Sequence, residues 1–136
     1  MDFWLGADTH WLATAGVPLM VSHGRLRRLK TLPRAIADWV CDSRGFTELK
    51  DHGRWTIGAR EYIAALRRYA REIGRLVWAA PQDWMCEEFI LAKTGKTVAE
   101  HQQLTVESVL LLRALAPELH IIPVVQGQKL ADYVRC

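Results

Sequence analysis

The sequence contains few cysteines, and their spacing excludes the usual zinc sites. Cys41, Cys86 and Cys136 are the three in the chain, and none belongs to a CxxC pair or a Cys/His cluster. An odd number of cysteines without a secretory signal predicts reduced thiols in the cytoplasm. We therefore expect a cytoplasmic protein with no metal site among these residues, and we expect Cys86 to be a small packed side chain.

Long hydrophobic runs and linkers are also lacking. The apolar runs are far shorter than the roughly 20 residues that a membrane-spanning helix needs, so we expect no membrane contact. No stretch looks like a linker, a repeat or a low-complexity segment. The chain has 136 residues, of which 50% are hydrophobic, and this predicts one domain with a real core over residues 1–136.

The net charge carries little information about partners, but the basic residues are clustered. A formal charge of +3 does not by itself identify a nucleic-acid binder. Solvated helix faces are the main interpretation of the clusters, and phosphate contacts are the lesser one. The first cluster contains Arg25, Arg27, Arg28, Lys30 and Arg34, and the second contains Arg67, Arg68, Arg71 and Arg75.

Two helices are predicted from the hydrophobic pattern. Residues 61–73 carry apolar side chains at helical spacing with arginines on the other side, and Gly74 is placed to end the helix. The second helix begins at Thr97, which forms a predicted capping box with Glu100, and Pro117 marks its end. His101 lies inside this helix, so we interpret it as structural.

Short apolar runs alternate with the helices, and this predicts an α/β fold. Several runs are apolar at nearly every position, as expected of parallel strands that are covered on both faces. Strands that alternate with helices indicate βα units with right-handed crossovers. The predicted strands cover residues 3–7, 17–21, 39–41, 76–80 and 121–125.

Polar side chains follow four of these runs directly. The carboxyl ends of parallel strands meet at one edge of a sheet, and ligands bind there in α/β folds. Four such ends, mostly carboxylates and carboxamides, predict a site rather than ordinary loop starts. The residues are Asp8 and His10, Asp42 and Ser43, Gln82 and Asp83, and Gln126 and Gly127.

Carboxylates and amides at the rim of an apolar pocket suit recognition of a flat heterocycle. A carboxylate accepts hydrogen bonds from ring N–H or amino groups, and an amide both accepts and donates. An Asp against such a base can also serve as a general acid or base if burial raises its pKa. Phe46, Trp84 and Met85 are candidates to stack on the ring or pack against it.

Four segments resemble one enzyme superfamily in the right order along nearly the whole chain. They are DSRGFTELKDHGRW, WAAPQDWMCE, TVAEHQQLTVESVLLLR and PVVQG. DSRGFTEL resembles the DSGGFQ-type motif of the queuine tRNA-ribosyltransferases, which are also called tRNA-guanine transglycosylases. The four segments together are more similar to the branch related to the deazapurine DNA-modification enzymes of bacteria and phages.

The resemblance implies a (β/α)8 TIM barrel whose enzymes exchange a purine for a 7-deazapurine at an N-glycosidic bond in tRNA or DNA. It implies that Asp42 lies at the reaction centre, as general base or base-contacting carboxylate. It also implies that Asp83 reads the heterocycle. The further base contacts that we carry over or propose are Ser43, Gly45, Phe46, Gln82, Gln126 and Gly127, with His10 as an additional candidate from the first strand.

The sequence departs from the family motif at two positions. Arg44 stands where the motif usually has Gly, and Thr47 stands where the tRNA enzymes have Gln. An arginine at this position either reaches a phosphate or blocks the pocket, and both interpretations stay open.

The length predicts that the chain corresponds to the N-terminal half of a barrel. A complete barrel of this kind takes about 250 residues, and the resemblance places this chain in its first four strands. The family's nucleophilic Asp and its Cys/His zinc site lie in the later half. We therefore expect no bound cofactor, and we expect catalysis only with a complementary C-terminal half. A half barrel with open edges also predicts self-association.

Simpler interpretations compete with each assignment. Asp42 and Asp83 are each possible caps of a local turn, and Gly127 fits an ordinary strand-to-helix turn. For His10 a structural hydrogen bond is the favoured interpretation over a site role. The alternative function is a non-catalytic remnant or half-barrel module that binds a purine-like base or nucleic acid, or acts only through self-association.

Overall fold

The computed structural model describes residues 2–136 and contains one parallel sheet of four strands. Each strand lies next to its successor in the chain, which is the arrangement of successive βα units in a (β/α)8 barrel. The predicted α/β class with four parallel strands is therefore confirmed. The strands are β1 (Leu5–Gly6), β2 (Leu19–Ser22), β3 (Trp39–Asp42) and β4 (Leu76–Ala79).

Helices of very different length connect the strands. A 3₁₀ helix over Thr9–Ala13 follows β1, and only one turn of α-helix lies between β2 and β3. Two helices separate β3 from β4, and three follow β4. No helix within residues 2–136 is long and apolar enough to cross a membrane. The α-helices are α1 (His23–Leu26), α2 (Gly45–His52), α3 (Ala59–Glu72), α4 (Glu88–Thr94), α5 (Val98–Leu115) and α6 (Leu130–Arg135).

Both predicted helices are confirmed, with their ends. α3 stops where Gly74 adopts a left-handed conformation (φ 73°) and its N–H donates to the Tyr69 carbonyl at 3.2 Å. At the start of α5 the Thr97 hydroxyl accepts from the Glu100 N–H at 3.2 Å. This bond is the one half of the predicted capping box that is present. The Glu100 carboxylate accepts from the Thr97 hydroxyl rather than from the Thr97 backbone N–H.

The predicted strand over residues 121–125 is wrong. Only Ile121 pairs with the sheet, through an isolated parallel bridge to Ala79. In a parallel ladder the next hydrogen bond would come from the backbone nitrogen two residues beyond Ala79. That residue is Pro81, which has no N–H to donate, so the ladder ends after one bridge.

One face of the sheet is covered by α3 and α5 and forms the core. Its strand residues alternate with those of the opposite face, as the two-residue period of a strand requires. The cluster is fully buried and includes Leu19, Val21, Trp39, Cys41 and Ala79 from the strands, with Tyr62, Leu66, Tyr69 and Leu112 from the two helices.

The opposite face is concave. Met20, Val40 and Trp78 are paired across neighbouring strands and lie in one row on this face. Trp4, just before β1, contacts Trp78 edge-on with ring centroids 5.9 Å apart. The outer strands of a flat four-stranded sheet lie about 14 Å apart, since neighbours are separated by about 4.8 Å. The contact between the two rings indicates that the sheet curls toward this face.

The next row of the concave face lies at the carboxyl edge. Ser22 pairs with Asp42 in the β2–β3 register, two residues beyond the row of Met20 and Val40. Both side chains therefore point to the same side as the tryptophan contact. The fold thus places Asp42 at the mouth of the concave face, where α/β barrels bind their ligands.

A buried polar pair links α1 to the core and gives a test of the fold. His23 Nδ1 lies 2.7 Å from the Tyr69 hydroxyl, and burial lowers the His23 pKa to about 4, so the imidazole is neutral. We expect Tyr69→Phe to lower the free energy of unfolding by about 1–3 kcal/mol, because it leaves a buried ring nitrogen without a partner. Urea denaturation followed by tryptophan fluorescence measures this loss.

Tyr133→Phe is the matched control, since Tyr133 is half exposed. Its free energy of unfolding should stay within about 0.5 kcal/mol of the wild-type value. Equal losses in the two variants would show that the His23 contact contributes nothing specific to stability.

Candidate active site

The chain leaves β3 through a sharp turn that brings two polar side chains to the site. Asp42 is the last strand residue, Ser43 is fully buried, and Gly45 is the first residue of α2. Arg44 between them has a left-handed backbone (φ 75°), a conformation that costs an arginine about 1–2 kcal/mol relative to its usual regions. The turn therefore stores strain in order to start α2 directly after the strand.

Asp83 is held at this site by side chains from two other segments. The Ser43 hydroxyl donates to Asp83 Oδ1 at 3.4 Å, and Gln126 Nε2 donates to Asp83 Oδ2 at 2.6 Å. The indole N–H of Trp55 donates to the Asp83 backbone carbonyl at 3.1 Å. The structure thus brings together three of the residues that the sequence predicts, from the ends of three successive apolar runs.

The charged forms of the Asp83 and Asp42 carboxyl groups are destabilised. Burial raises the pKa of Asp83 to about 6, and the negative charge of Asp42 adds to this rise. Burial also raises the pKa of Asp42, although hydrogen bonds from the backbone N–H groups of Arg44 and Ser43 offset part of the effect. Burial thus outweighs these backbone contacts in setting the pKa of Asp42.

Gly45 allows α2 to approach Asp83 closely. A Cβ atom at this position would lie 3.1 Å from Asp83 Oδ1, 3.0 Å from the Trp55 ring and 3.1 Å from the Met85 methyl group. These distances are shorter than ordinary van der Waals contacts. The motif glycine thus has a packing reason at this position, and Met85 borders the site as the sequence suggests.

A cavity of about 780 Å³ opens beside β1 and β2, with Asp42 in its lining. Its volume lies in the range of small-molecule sites. Asp8, Ser22 and Arg25 line its polar side, and Asp8 Oδ2 accepts from Arg25 Nη1 at 2.9 Å. The apolar wall includes Leu5, Trp11, Leu19 and Met20.

The sequence grouped Asp8 with the polar strand ends without giving it a specific contact, and it gave no site role to Ser22 or Arg25. Asp8 carried a signal, because it is the first acidic residue after the first apolar run, but His10 was preferred. Ser22 follows β2 as Ser43 follows β3, yet its alignment with Asp42 depends on the strand register, which the sequence does not reveal.

Four predicted site residues lie outside this arrangement. Gln82 is buried and its Nε2 donates to the Ile57 carbonyl at 2.8 Å, so it anchors the segment before α3. Phe46 is half exposed and packs edge-on against Phe89 of α4. Each of these two side chains is committed to a structural contact.

Gly127 and His10 are also outside the cluster. A Cβ at Gly127 would lie 2.7 Å from Asp132 Cβ, so this glycine serves the close packing of α6. His10 is exposed in the 3₁₀ helix with its ring against Trp11, 4.8 Å between centroids. The structural hydrogen bond considered for the His10 side chain is absent within residues 2–136.

The remaining histidine and cysteine interpretations agree with the structure. His101 is buried, with Nδ1 2.8 Å from the Met85 carbonyl and Nε2 2.8 Å from the Thr94 hydroxyl. Its ring packs edge-on against Trp84, so the Trp84 side chain contacts α5. Cys86 is buried, and burial raises the pKa of its thiol to about 11. In the part of the chain that the structure describes, no three His, Cys, Asp or Glu side chains are grouped to hold a metal ion.

Comparison with known protein families shows which family the chain belongs to. Residues 1–136 match the family described as DpdA, DeoxyPurine in DNA protein A. The chain belongs to the DpdA family. No curated protein and no solved structure matches it. The family description refers to deoxypurines in DNA, which agrees with the DNA-modification branch indicated by the sequence motifs.

The raised pKa of Asp83 predicts a pH-dependent stability in this DpdA-family chain. Its folded-state pKa of about 6 exceeds the ordinary value of 3.8, so the folded protein binds more protons between these values and loses stability as the pH rises through them. Asp83→Asn removes the buried charge and keeps an acceptor for Gln126. From pH 4 to pH 7.5, the free energy of unfolding of the variant should therefore rise by about 2 kcal/mol relative to that of the wild type.

Thermal or urea unfolding at the two pH values measures this gain. Asp51→Asn, at an exposed aspartate of α2, is the control and should show no such pH dependence. A stability difference between Asp83→Asn and the wild type that is the same at both pH values would contradict the assignment.

The close approach at Gly45 gives a second prediction. Gly45→Ala should lower the free energy of unfolding by about 1 kcal/mol although alanine favours helix, because Asp83 and Trp55 are held by hydrogen bonds and resist displacement. Gly16→Ala is the control, since a Cβ there meets nothing within 4 Å. Chemical denaturation compares the two variants, and a Gly45→Ala protein as stable as Gly16→Ala would refute the packing argument.

Proposed function

We propose that this DpdA-family chain binds a purine-like base of DNA and takes part in exchanging a purine for a 7-deazapurine at the N-glycosidic bond. One observation carries the proposal above all others. Asp42 and Asp83 both have a raised pKa, and the charge of Asp42 contributes to the rise at Asp83, so the two carboxyl groups interact. Such pairs are typical of sites that move protons.

We propose that Asp83 and Gln126 hold the base. Gln126 donates its amide N–H to Asp83, which leaves its Oε1 to accept from an amino or ring N–H group. Each Asp83 oxygen accepts one hydrogen bond from the protein and retains a lone pair for the ligand. A guanine-like edge presents adjacent donors, which two neighbouring acceptors of this kind can accept. The Ser43 hydroxyl keeps the Asp83 carboxyl in place.

We propose that Asp42 handles the proton of the reaction. In base exchange the bond between the sugar carbon and the purine ring nitrogen breaks, and the same bond forms to the incoming deazapurine. The departing base gains a proton on that nitrogen, and the incoming base loses one. A carboxyl group with a raised pKa can give the first proton and accept the second.

We do not assign the attack on the sugar carbon to a residue of this chain. The sequence resemblance implies a nucleophilic Asp in later strands of the barrel, and we propose that a complementary half supplies it. Asp8 borders the cavity, but hydrogen bonds from Thr9 and Arg25 hold the pKa of this carboxyl below its ordinary value, and its charge is already neutralised by Arg25.

Base binding tests the proposed contacts directly. We expect guanine and a 7-deazaguanine to bind the wild-type chain in isothermal titration calorimetry, and Asp83→Asn to weaken binding about 10-fold, since a hydrogen bond to a charged acceptor is worth about 1.5–3 kcal/mol. Asp51→Asn, which changes the same charge at an exposed position of α2, should bind as the wild type does. The absence of wild-type binding, or an equal loss in Asp51→Asn, would overturn the proposal.

Incorporation of labelled base separates catalysis from binding. Radiolabelled guanine or 7-deazaguanine is incubated with DNA or tRNA and the chain, with and without a complementary C-terminal half, and Asp42→Asn serves as the inactive variant. We expect incorporation into DNA only with both halves. Base binding without incorporation in any mixture would instead support the non-catalytic binding module, and incorporation into tRNA alone would contradict the DNA substrate.

A further inference from the structure

A second cleft lies beside the candidate site and is lined mainly by arginines. Its volume is about 370 Å³, and no carboxylate is among its lining residues. Two of its residues, Ser22 and Arg25, also line the cavity that contains Asp42. The cleft residues are Ser22, Gly24, Arg25, Arg28, Arg44 and Thr47. The basic cleft, defined by these residues, therefore adjoins the cavity.

Arg44 is directed into the basic cleft by a close contact with Gly24. A Cβ at position 24 would lie 2.7 Å from Arg44 Cδ and 3.3 Å from its Nε, so only glycine lets the arginine lie across α1. Arg44 is not among the residues around the cavity of Asp42. Of the two interpretations open from the sequence, the geometry excludes blockage of that cavity and leaves the contact with an anion.

The arginines of the basic cleft carry unbalanced positive charge. Within residues 2–136, the side chains of Arg28 and Arg44 form neither an ion pair nor a hydrogen bond, and only Arg25 has a carboxylate, Asp8, at 2.9 Å. This differs from the arginines of α3, where Arg67 and Arg68 are each paired with a glutamate. Arg44 is half-buried and Arg28 is exposed. A half-buried guanidinium without a partner, such as that of Arg44, is stabilised by an anion that enters its cleft.

We propose that the basic cleft binds a phosphodiester group of the strand whose base enters the site at Asp42 and Asp83. The inference rests on the proposed function, because exchange of a base within a polymer brings the neighbouring phosphates next to the base site. Guanidinium groups donate two parallel hydrogen bonds to phosphate oxygens. The hydroxyls of Ser22 and Thr47, which also line the cleft, add further donors.

The test uses a strand that has phosphates and no bases. A fluorescent single strand of tetrahydrofuran sugar-phosphate units is titrated with the chain, and anisotropy is read at several salt concentrations. We expect Arg44→Gly and Arg28→Gln each to raise the dissociation constant about 5- to 10-fold. The slope of log affinity against log salt should decrease by about 0.7 per lost phosphate contact.

The choice of variants separates loss of phosphate binding from misfolding and from a general loss of positive charge. Glycine is the residue best suited to the left-handed backbone of position 44, so Arg44→Gly should fold with an unchanged or higher melting temperature. Arg71→Gln is the charge-matched control, because Arg71 lies at the end of α3 remote from the carboxyl edge of the sheet. This control should stay within about 2-fold of the wild-type affinity.

Three results would overturn the proposal. The first is wild-type affinity for the abasic strand in Arg44→Gly, and the second is an equal loss in Arg71→Gln, which would indicate general charge attraction. The third is displacement of the strand by inorganic phosphate at a concentration equal to that of the strand's own phosphate groups. This result would assign the cleft to a free anion. Binding of free guanine to the wild type uses no phosphate, so a failed base titration with a successful abasic titration rejects the proposed function and retains the cleft.

Discussion

The parallel register between β2 and β3 is the constraint on which the site depends. It aligns Ser22 with Asp42 on the concave face, so that one row of the sheet carries polar groups while the preceding row stays apolar. A shift by one residue would turn Asp42 toward the helix-covered core, where a carboxylate has no partner. The packing of Trp39 and Cys41 against α3 holds this register, and it thereby holds the geometry of the site.

The cluster around Asp83 shows how the chain tolerates two half-buried carboxyl groups, those of Asp42 and Asp83. Their mutual repulsion is opposed by donors from Ser43 and Gln126. Gln126 is positioned in turn by Gln102 of α5, whose amide donates to its backbone carbonyl at 2.8 Å. The polar groups of the site are thus supported by a second layer of hydrogen bonds from a long, well-formed helix, which preorganises them.

Local patterns predicted the elements, whereas long-range contacts decided the details. The boundaries of α3 and α5 follow from periodicity and caps, which are properties of neighbouring residues. The strand over 121–125 failed because a proline forty residues earlier ends the ladder, and no local pattern carries that information. Similarly, Gln82 and Asp83 were grouped by sequence, but consecutive residues of an extended segment point to opposite sides.

The contact between Gly24 and Arg44 couples two positions that lie twenty residues apart in the chain. Any side chain at position 24 would displace Arg44, and loss of Arg44 would remove the reason for a glycine there. The two positions therefore constrain one another through sterics alone. Among related sequences they should change together, so that covariation between them traces where the arginine-lined cleft was acquired within the family and where it was lost.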